Sequence, residues 1–212
     1  MRAVRDDLEL LRAWHGGDPD AGRALFDRYF ANLRRFFVGK AHDEAAIDDL
    51  IQRTLLVAVE RSPQLTEAGA FRAYLFTVAR HELFALYRKR ARTVDAFDSQ
   101  VHSAGQLVPS PSGLLARRDD ERALLAALRR LPIDLQIALE LYYWEELSTE
   151  ETAAVFAIPP STLTTRLARA RKLLHDALAG DALSAGVGDD ALEHWIRSMR
   201  HHAAARRPTT QK

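Results

Sequence analysis

The amino-acid sequence predicts an all-α protein made of two small helical domains joined by a flexible linker. Ala, Leu, Arg and Glu dominate its 212 residues, while Gly (10) and Pro (8) are sparse. Apolar residues recur at helical spacing, without the alternation typical of strands. A Ser-, Gly- and Pro-containing stretch interrupts this pattern at residues 93–113. We therefore predict domains at 7–92 and 114–179, which move independently about the linker 93–113.

The first domain is predicted to contain four helices, at residues 7–14, 19–39, 43–61 and 70–92. Asp18 is suited to cap the second helix, and Pro19 fits its first position because the missing N–H has no partner there anyway. Ser62 and Pro63 stop the third helix.

The second domain is predicted to contain helices at residues 114–131, 134–143, 148–156 and 160–178. Ser148 followed by Glu151 forms a capping box, which marks a helix start. The tail 180–212 has one weak amphipathic helix at 190–202. That helix is either a regulatory element that folds onto the second domain or a frayed end.

Composition and charge exclude several classes of protein. The hydrophobic share of 47% and the charged share of 28% exclude wholesale disorder, and the net charge of +1 indicates no partner. The chain has no cysteine, which excludes disulfides and thiolate zinc sites and fits a reducing cytoplasm. No apolar stretch reaches signal-peptide length or the ~20 residues of a membrane span. We predict a cytoplasmic protein without membrane insertion.

Enzymatic motifs are missing from the sequence. There is no Gly-rich phosphate loop, and no two of the eight histidines lie four residues apart beside a carboxylate. Asp48 and Asp49 are adjacent on a helix, so they do not converge on one substrate. We predict no catalytic activity, no metal and no cofactor.

The strongest local signal is LSTEETAAVFAIPPSTLTTRLARARKLL at residues 147–174. A capping box, the small Ala153, a turn at 156–158 and a helix beginning at Pro160 together predict a helix-turn-helix. The apolar stripe of the second helix is expected to be Leu163, Leu167, Ala170 and Leu174.

The opposite face of that helix carries small polar and basic side chains. Residues 161–175 contain four Lys or Arg and no acid, as expected of a recognition helix in the major groove. Arg166 and Arg169 are expected to point outward. The candidate DNA-binding residues are Ser161, Thr162, Thr164, Thr165, Arg166, Arg169 and Lys172. The alternative is an ordinary helical hairpin with a solvated basic face.

A second basic segment is FRAYLFTVARHELFALYRKRAR at residues 71–92, with six Lys or Arg against the single acid Glu82. Its basic side chains could follow a phosphate backbone and its aromatic rings could stack on unpaired bases. Alternatively, the rings belong to the core and the basic residues complement the helix dipole.

In this order and at this distance, these segments resemble RNA polymerase sigma factors of the extracytoplasmic-function (ECF) type, which have only sigma regions two and four. DDLIQRTLLVAVE at 48–60 is similar to the helix that docks on the polymerase clamp. Residues 71–92 resemble the segment that melts and reads the −10 element. Residues 127–174 resemble region four, which reads the −35 element.

The resemblance implies a non-enzymatic initiation factor whose partners are core RNA polymerase, promoter DNA and an anti-sigma factor. The residues implied for polymerase binding are Asp49, Leu50, Gln52, Arg53 and Leu55, of which the two leucines could instead belong to the core. Those implied for −10 recognition are Arg72, Tyr74, Arg80, His81, Arg88, Lys89 and Arg90. The loop 62–70 corresponds to the segment that holds a flipped −10 base.

Two other functions are compatible with parts of the sequence. A helix-turn-helix regulator that binds DNA alone would explain residues 148–174 but not residues 48–92. A degenerate sigma-like protein that binds a partner and no DNA would explain three departures from the family pattern, namely Arg53, His81 and Ala85.

Overall fold

The computed structural model describes residues 6–60, 70–90, 97–107, 119–179 and 196. Within these residues the regular elements are helices, joined by one isolated bridge between Ser103 and Pro132, which confirms the all-α prediction. The helices are α1 (Asp7–His15), α2 (Pro19–Phe37), α3 (Glu44–Glu60), α4 (Ala70–Arg90), α5 (Ala104–Leu107), α6 (Asp119–Leu128), α7 (Ile133–Leu139), α8 (Thr149–Phe156) and α9 (Pro160–Ala179). None of the helices in the described ranges is long and apolar enough to cross a bilayer.

The N-terminal helices form a tight hairpin. Asp6 and Glu9 form a capping box at the start of α1, and Asp18 caps α2 ahead of Pro19, as predicted. A Cβ atom on Gly22 would lie 2.6 Å from the Trp14 ring, so only glycine permits this close approach of α1 and α2.

The first domain is completed by α3 and α4, which pack against each other and against α2. Its core consists of large apolar side chains that are at most 2% exposed, among them Leu33, Phe36, Leu50, Ile51, Leu75 and Phe76. Burying such side chains contributes about 1.5–3 kcal/mol each. This packing fixes which faces of α3 and α4 remain available to partners.

The second domain contains the predicted helix-turn-helix, formed by α8 and α9. Ser148 and Glu151 form the capping box of α8, and Ala153 is buried. Ala157 adopts the left-handed conformation (φ 51°) at the turn. The next residue, Ile158, is half-buried rather than buried as its apolar side chain suggests.

A π-helical turn (Glu140–Trp144) continues α7 and is not foreseen by the sequence patterns. The amide of Glu145 donates to the carbonyl of Glu140 at 3.0 Å, five residues earlier. Residues five apart therefore share one face here, whereas in an α-helix only residues three or four apart do.

Part of the linker, residues 97–107, contacts both domains. The independent movement of the two domains stays a prediction. Phe97 packs against the rings of Phe84 and Tyr87 in α4, and the carbonyl of His102 accepts from the amide of Ile133 at 2.9 Å. Between these contacts, residues 97–107 join both domains. The rest of the linker lies outside the described residues.

The two domains also contact each other directly, because α4 packs against α8. Of the tail, only Ile196 is described. Its side chain is buried and its carbonyl accepts from the Trp144 indole N–H at 2.7 Å. The rest of the predicted helix at 190–202 lies outside the described residues.

Replacing Ala157 with glycine is expected to stabilise the protein by about 0.5–1 kcal/mol, because a Cβ atom is unfavourable at positive φ. Ala154→Gly is the matched control, since Ala154 is also exposed but lies inside α8. It should destabilise by about 0.8–1 kcal/mol. Thermal denaturation of both variants checks the signs, and a loss of stability in Ala157→Gly contradicts the assigned turn.

Candidate nucleic-acid and polymerase interfaces

The recognition helix α9 separates its apolar and polar faces as predicted. The stripe of Leu163, Leu167, Ala170 and Leu174 is at most 4% exposed. Six of the seven predicted DNA-binding residues lie exposed on the other side, namely Ser161, Thr162, Thr164, Thr165, Arg169 and Lys172. The hydroxyls of Thr164 and Thr165 donate to backbone carbonyls four residues earlier, at 3.1 and 3.2 Å. Their lone pairs remain available to accept hydrogen bonds.

Arg166 is the exception, and the expectation that it points outward with Arg169 is wrong for this conformation. Its side chain is 23% exposed, and its guanidinium lies 3.9 Å from the carboxylate of Asp134. It also lies over the Phe156 ring, 5.8 Å from the centroid. Asp134 belongs to α7, so it lies outside residues 161–175, the stretch that contains no acid.

The basic helix α4 presents only part of its predicted DNA surface. His81, Arg88 and Lys89 are exposed, and Arg72 and Tyr74 are half-buried. The side chain of Arg90 lies outside the described part of the chain. The aromatic residues Phe71, Phe76, Phe84 and Tyr87 are buried, so the core interpretation is correct for these four and only Tyr74 could stack on a base.

Arg80 is not available as predicted, because other groups already occupy its guanidinium. Its Nε and Nη2 atoms donate to Asp134 at 3.1 and 2.8 Å. The guanidinium also lies against the rings of Phe84 and Phe156, at 4.5 and 4.9 Å from their centroids. Asp134 belongs to α7 and Phe156 to α8, so this contact joins α4 to the second domain.

The next residue along α4, His81, has a lowered pKa. Partial burial is the main cause, and the positive charges of Arg80 and Arg88 add to it. The imidazole is therefore neutral at pH 7, so His81 can offer a hydrogen bond to a base or phosphate but no charge.

The residues exposed on α3 are not all the ones predicted to bind polymerase. Asp49, Gln52 and Arg53 are exposed as predicted, but Leu50 (1% exposed) and Leu55 (6%) belong to the core. Including these two among the docking residues is wrong for this structure. Leu56 is the apolar residue on the outer face, and it is 59% exposed. It was missed, although its spacing of four from Gln52 and three from Arg53 places it on their face.

Arg53 has a structural role that explains a basic residue on this acidic helix. Its guanidinium lies 3.5 Å from Asp49 on the same helix and 3.2 Å from Glu82 on α4. The side chain therefore links the outer faces of α3 and α4.

A set of buried acids in the second domain was also missed by sequence reasoning. Glu140 accepts from Lys40, and Glu145 accepts from Arg35 at 2.7 Å and from Asn32. Burial lowers the pKa of Lys40 and raises that of Glu140, because the loss of water outweighs their mutual attraction. Only contacts between distant parts of the chain reveal these pairs, since each joins residues at least 100 positions apart.

The part of the chain that the structure describes contains no group of three or more His, Cys, Asp or Glu side chains able to hold a metal ion.

Two family models match the chain in the expected order. Sigma-70 region 2 matches residues 25–93 and Sigma-70 region 4 matches residues 121–174. The ECF RNA polymerase sigma factor EcfG of Rhodopseudomonas palustris is 32% identical over 76% of this chain and 87% of its own length. BldN of Streptomyces coelicolor, another ECF sigma factor, is 28% identical over 82% of this chain and 67% of its own.

Solved structures agree with these relatives. The sigma factor RpoE, in complex with the anti-sigma factor NepR from Bartonella quintana, superposes with a TM-score of 0.57 at 25% identity. The match covers 74% of this chain and 96% of RpoE. CnrH, in complex with the cytosolic domain of CnrY, has the same fold, with a TM-score of 0.60 at 22% identity over 83% of this chain and 98% of CnrH.

The two matched regions define a sigma-70-type transcription initiation factor. More particularly, the chain belongs to the ECF RNA polymerase sigma factors, and its function is to direct RNA polymerase to promoters. A stand-alone helix-turn-helix regulator would leave the match of residues 25–93 to region 2 unexplained.

Changing Arg53 to Gln is expected to lower stability by about 0.5–1 kcal/mol, because it breaks partly exposed ion pairs between α3 and α4. Arg23→Gln is the matched control, since Arg23 pairs with Asp20 at 3.8 Å while both side chains are at least 75% exposed. Urea denaturation at low and high salt checks this. Equal stabilities of the two variants at low salt would contradict a linking role for Arg53.

Proposed function

We propose that this chain assembles with core RNA polymerase through α3 and reads a bipartite promoter through α4 and α9, in the cytoplasm. In this proposal residues 7–92 form region two, residues 93–113 the linker and residues 114–179 region four. The observation that carries the proposal is the outer face of α9, which is polar and basic. Arg166 is paired with Asp134, but Arg169 and Lys172 are exposed on this face, and an exposed basic face fits a polyanion.

The −35 element is assigned to α9. Small polar side chains at the start of this helix can approach base edges in the major groove, and Arg169 and Lys172 further along can bind phosphates. Pro160 begins the helix and Ser161 and Thr162 follow it, all exposed. As far as the described ranges show, the N-terminal end of α9 is therefore open to a DNA groove.

The −10 element is assigned to α4 and to the segment 62–70 that leads into it, of which residues 62–69 lie outside the described part of the chain. Arg72, Arg88, Lys89 and Arg90 would follow the phosphate backbone, and Tyr74 would stack on an unpaired base. His81 would contribute a hydrogen bond without charge. Arg80 joins this set only after it leaves Asp134.

The clamp of RNA polymerase is assigned to the outer face of α3. Asp49 and Gln52 supply polar contacts, Arg53 holds the edge towards α4, and Leu56 supplies the apolar anchor. Leu50 and Leu55 support this surface from the core. An apolar side chain that becomes buried on binding, surrounded by polar groups, commonly contributes much of the binding free energy of an interface.

We also propose an anti-sigma factor as a partner. RpoE and CnrH, which share this fold, have been solved in complex with the anti-sigma factor NepR and with the cytosolic domain of CnrY. The same two helical regions are present here, so the chain offers a comparable surface.

The DNA assignment is tested with the double variant Arg169→Ala/Lys172→Ala. Both residues are exposed, so stability should change by less than about 0.5 kcal/mol per substitution. Reconstituted holoenzyme should bind its promoter more weakly, and the slope of log affinity against log salt should flatten by about one for each phosphate that is no longer bound. The matched control is Arg12→Ala/Arg23→Ala, which removes the same charge from exposed sites on α1 and α2.

Promoter-dependent run-off transcription provides the second readout for these variants. Product should require both this chain and core polymerase, and should fall in the α9 variant but not in the control. Unchanged promoter affinity and an unchanged salt slope in the α9 variant would show that α9 does not bind DNA.

The polymerase assignment is tested with Leu56→Ser. Removing a leucine side chain that is buried on binding costs about 1.5–3 kcal/mol, which corresponds to roughly 10- to 100-fold weaker binding to core polymerase. Val101→Ser is the matched control, because Val101 is 66% exposed and lies in the linker. Titration of labelled chain with core polymerase measures both affinities. Equal affinities would remove Leu56 from the interface.

A further inference from the structure

The C-terminal tail is attached to region four at one described residue. Ile196 is 0% exposed, and its backbone carbonyl accepts from the indole N–H of Trp144 at 2.7 Å. Trp144 closes the π-helical turn and is itself buried. A buried indole N–H needs an acceptor, so the hydrogen bond and the buried Ile196 side chain both hold the tail in place. We call this contact the tail anchor.

The tail anchor belongs to the same packed unit as the recognition helix. The hydroxyl of Tyr143, the residue before Trp144, accepts from Arg171 of α9 at 3.1 Å. The π turn continues α7, and α7 packs against α9. A segment that begins at the tail anchor therefore stays with α9 wherever region four moves.

The charge of the tail changes sign at the tail anchor. Residues 180–195 contain four acids and no Lys or Arg, whereas residues 197–212 contain five Lys or Arg and no acid. The basic side chains are Arg197, Arg200, Arg206, Arg207 and Lys212. Basic segments of this kind commonly bind nucleic acid.

The tail anchor limits how far the basic residues can lie from region four. Arg206 and Arg207 follow Ile196 by only ten and eleven positions, so even a fully extended chain keeps them within about 35–40 Å of the tail anchor. One turn of B-DNA has nearly the same length, about 34–36 Å. Measured from Ala179 at the end of α9, the same residues could be up to about 95 Å away. The tail anchor therefore raises the effective concentration of these charges near any DNA that α9 binds.

We propose that residues 197–212 form a basic arm, held by the tail anchor, which binds backbone phosphates of the DNA duplex adjacent to the site of α9. The ligand is the phosphate backbone of any sequence, because contacts to phosphates carry no direct sequence information. This arm is a third DNA contact and goes beyond the contacts proposed for α4 and α9. DNA is favoured over an acidic protein because the arm starts from the domain that exposes Arg169 and Lys172, so one polyanion can satisfy both basic surfaces.

The charge of the arm is tested in the full chain with Arg206→Gln/Arg207→Gln. The matched control is Arg12→Gln/Arg23→Gln, which removes the same charge from exposed sites on α1 and α2. Binding to a fluorescein-labelled duplex of mixed sequence and about 40 base pairs is measured by anisotropy without polymerase, from about 50 to 200 mM salt. Circular dichroism establishes equal helicity first.

The arm variant should reduce the slope of log affinity against log salt by up to about 1.8, because each lost phosphate contact reduces it by about 0.9. Its affinity at about 100 mM salt should fall several-fold, while the control should keep the slope and the affinity of the unmodified chain. Equal losses in the arm variant and the control would overturn the proposal, because the effect would then be one of net charge.

The tail anchor is tested with Ile196→Ser, which keeps every charge of the arm. Val101→Ser is the matched control, since it makes the same kind of change at an exposed position. Ile196→Ser should bind the duplex several-fold more weakly than Val101→Ser, because the arm is then no longer concentrated near α9. If Ile196→Ser does not fold, Trp144→Phe, which keeps an aromatic ring but loses the N–H donor, decides instead. Equal affinities of the anchor variant and its reference, Val101→Ser or the unmodified chain, would overturn the anchored arm.

The failure of the arm is distinguishable from the failure of the proposed function. Unchanged affinity and slope in Arg206→Gln/Arg207→Gln would overturn the arm, and the variant Arg169→Ala/Lys172→Ala then shows separately whether α9 binds the duplex. If the arm variant keeps its affinity for the duplex but binds core polymerase more weakly, the arm contacts protein, and the proposal of a DNA contact is overturned.

Discussion

The ionic contact between the two regions governs the rest of this structure. Asp134, Glu140 and Glu145 are buried acids, and a buried carboxylate is tolerated only where a cation or hydrogen-bond donors compensate for lost water. Region two supplies those partners, so the position of the regions relative to each other follows from charge compensation. The orientation of α8 on α4 and the enclosure of Arg80 are consequences of the same contact.

This constraint divides the functional surfaces into two groups. The outer faces of α3 and α9 lie away from this ionic contact. The residues exposed on them are Asp49, Gln52, Leu56, Arg169 and Lys172. Part of α4 lies at the ionic contact, where Asp134 already neutralises the charge of Arg80. The outer faces of α3 and α9 are therefore open to partners in this conformation, whereas Arg80 of α4 is already engaged.

Much of the fold could be predicted because its signals are local. The capping box at Ser148, the cap at Asp18 and the stripe from Leu163 to Leu174 each depend on residues within one or two helical turns. The same holds for six of the seven residues predicted on the recognition helix, whose exposure follows from helical spacing alone.

The errors have a different physical origin. Arg80 and Arg166 were expected to be free because the acid that pairs with them, Asp134, is distant in sequence. Leu56 is a different case, because its spacing from Gln52 and Arg53 is a local signal that places it, and not Leu55, on the outer face of α3. The π turn at 140–144 has no local signature that distinguishes it from continued α-helix.

Small-angle X-ray scattering of the full chain tests most directly whether the two regions are docked. A compact chain of this length has a radius of gyration of about 17 Å. We predict a single-peaked distance distribution near that size, which broadens in Asp134→Asn. Two resolved lobes in the distance distribution of the unmodified chain, unchanged by that substitution, would contradict it.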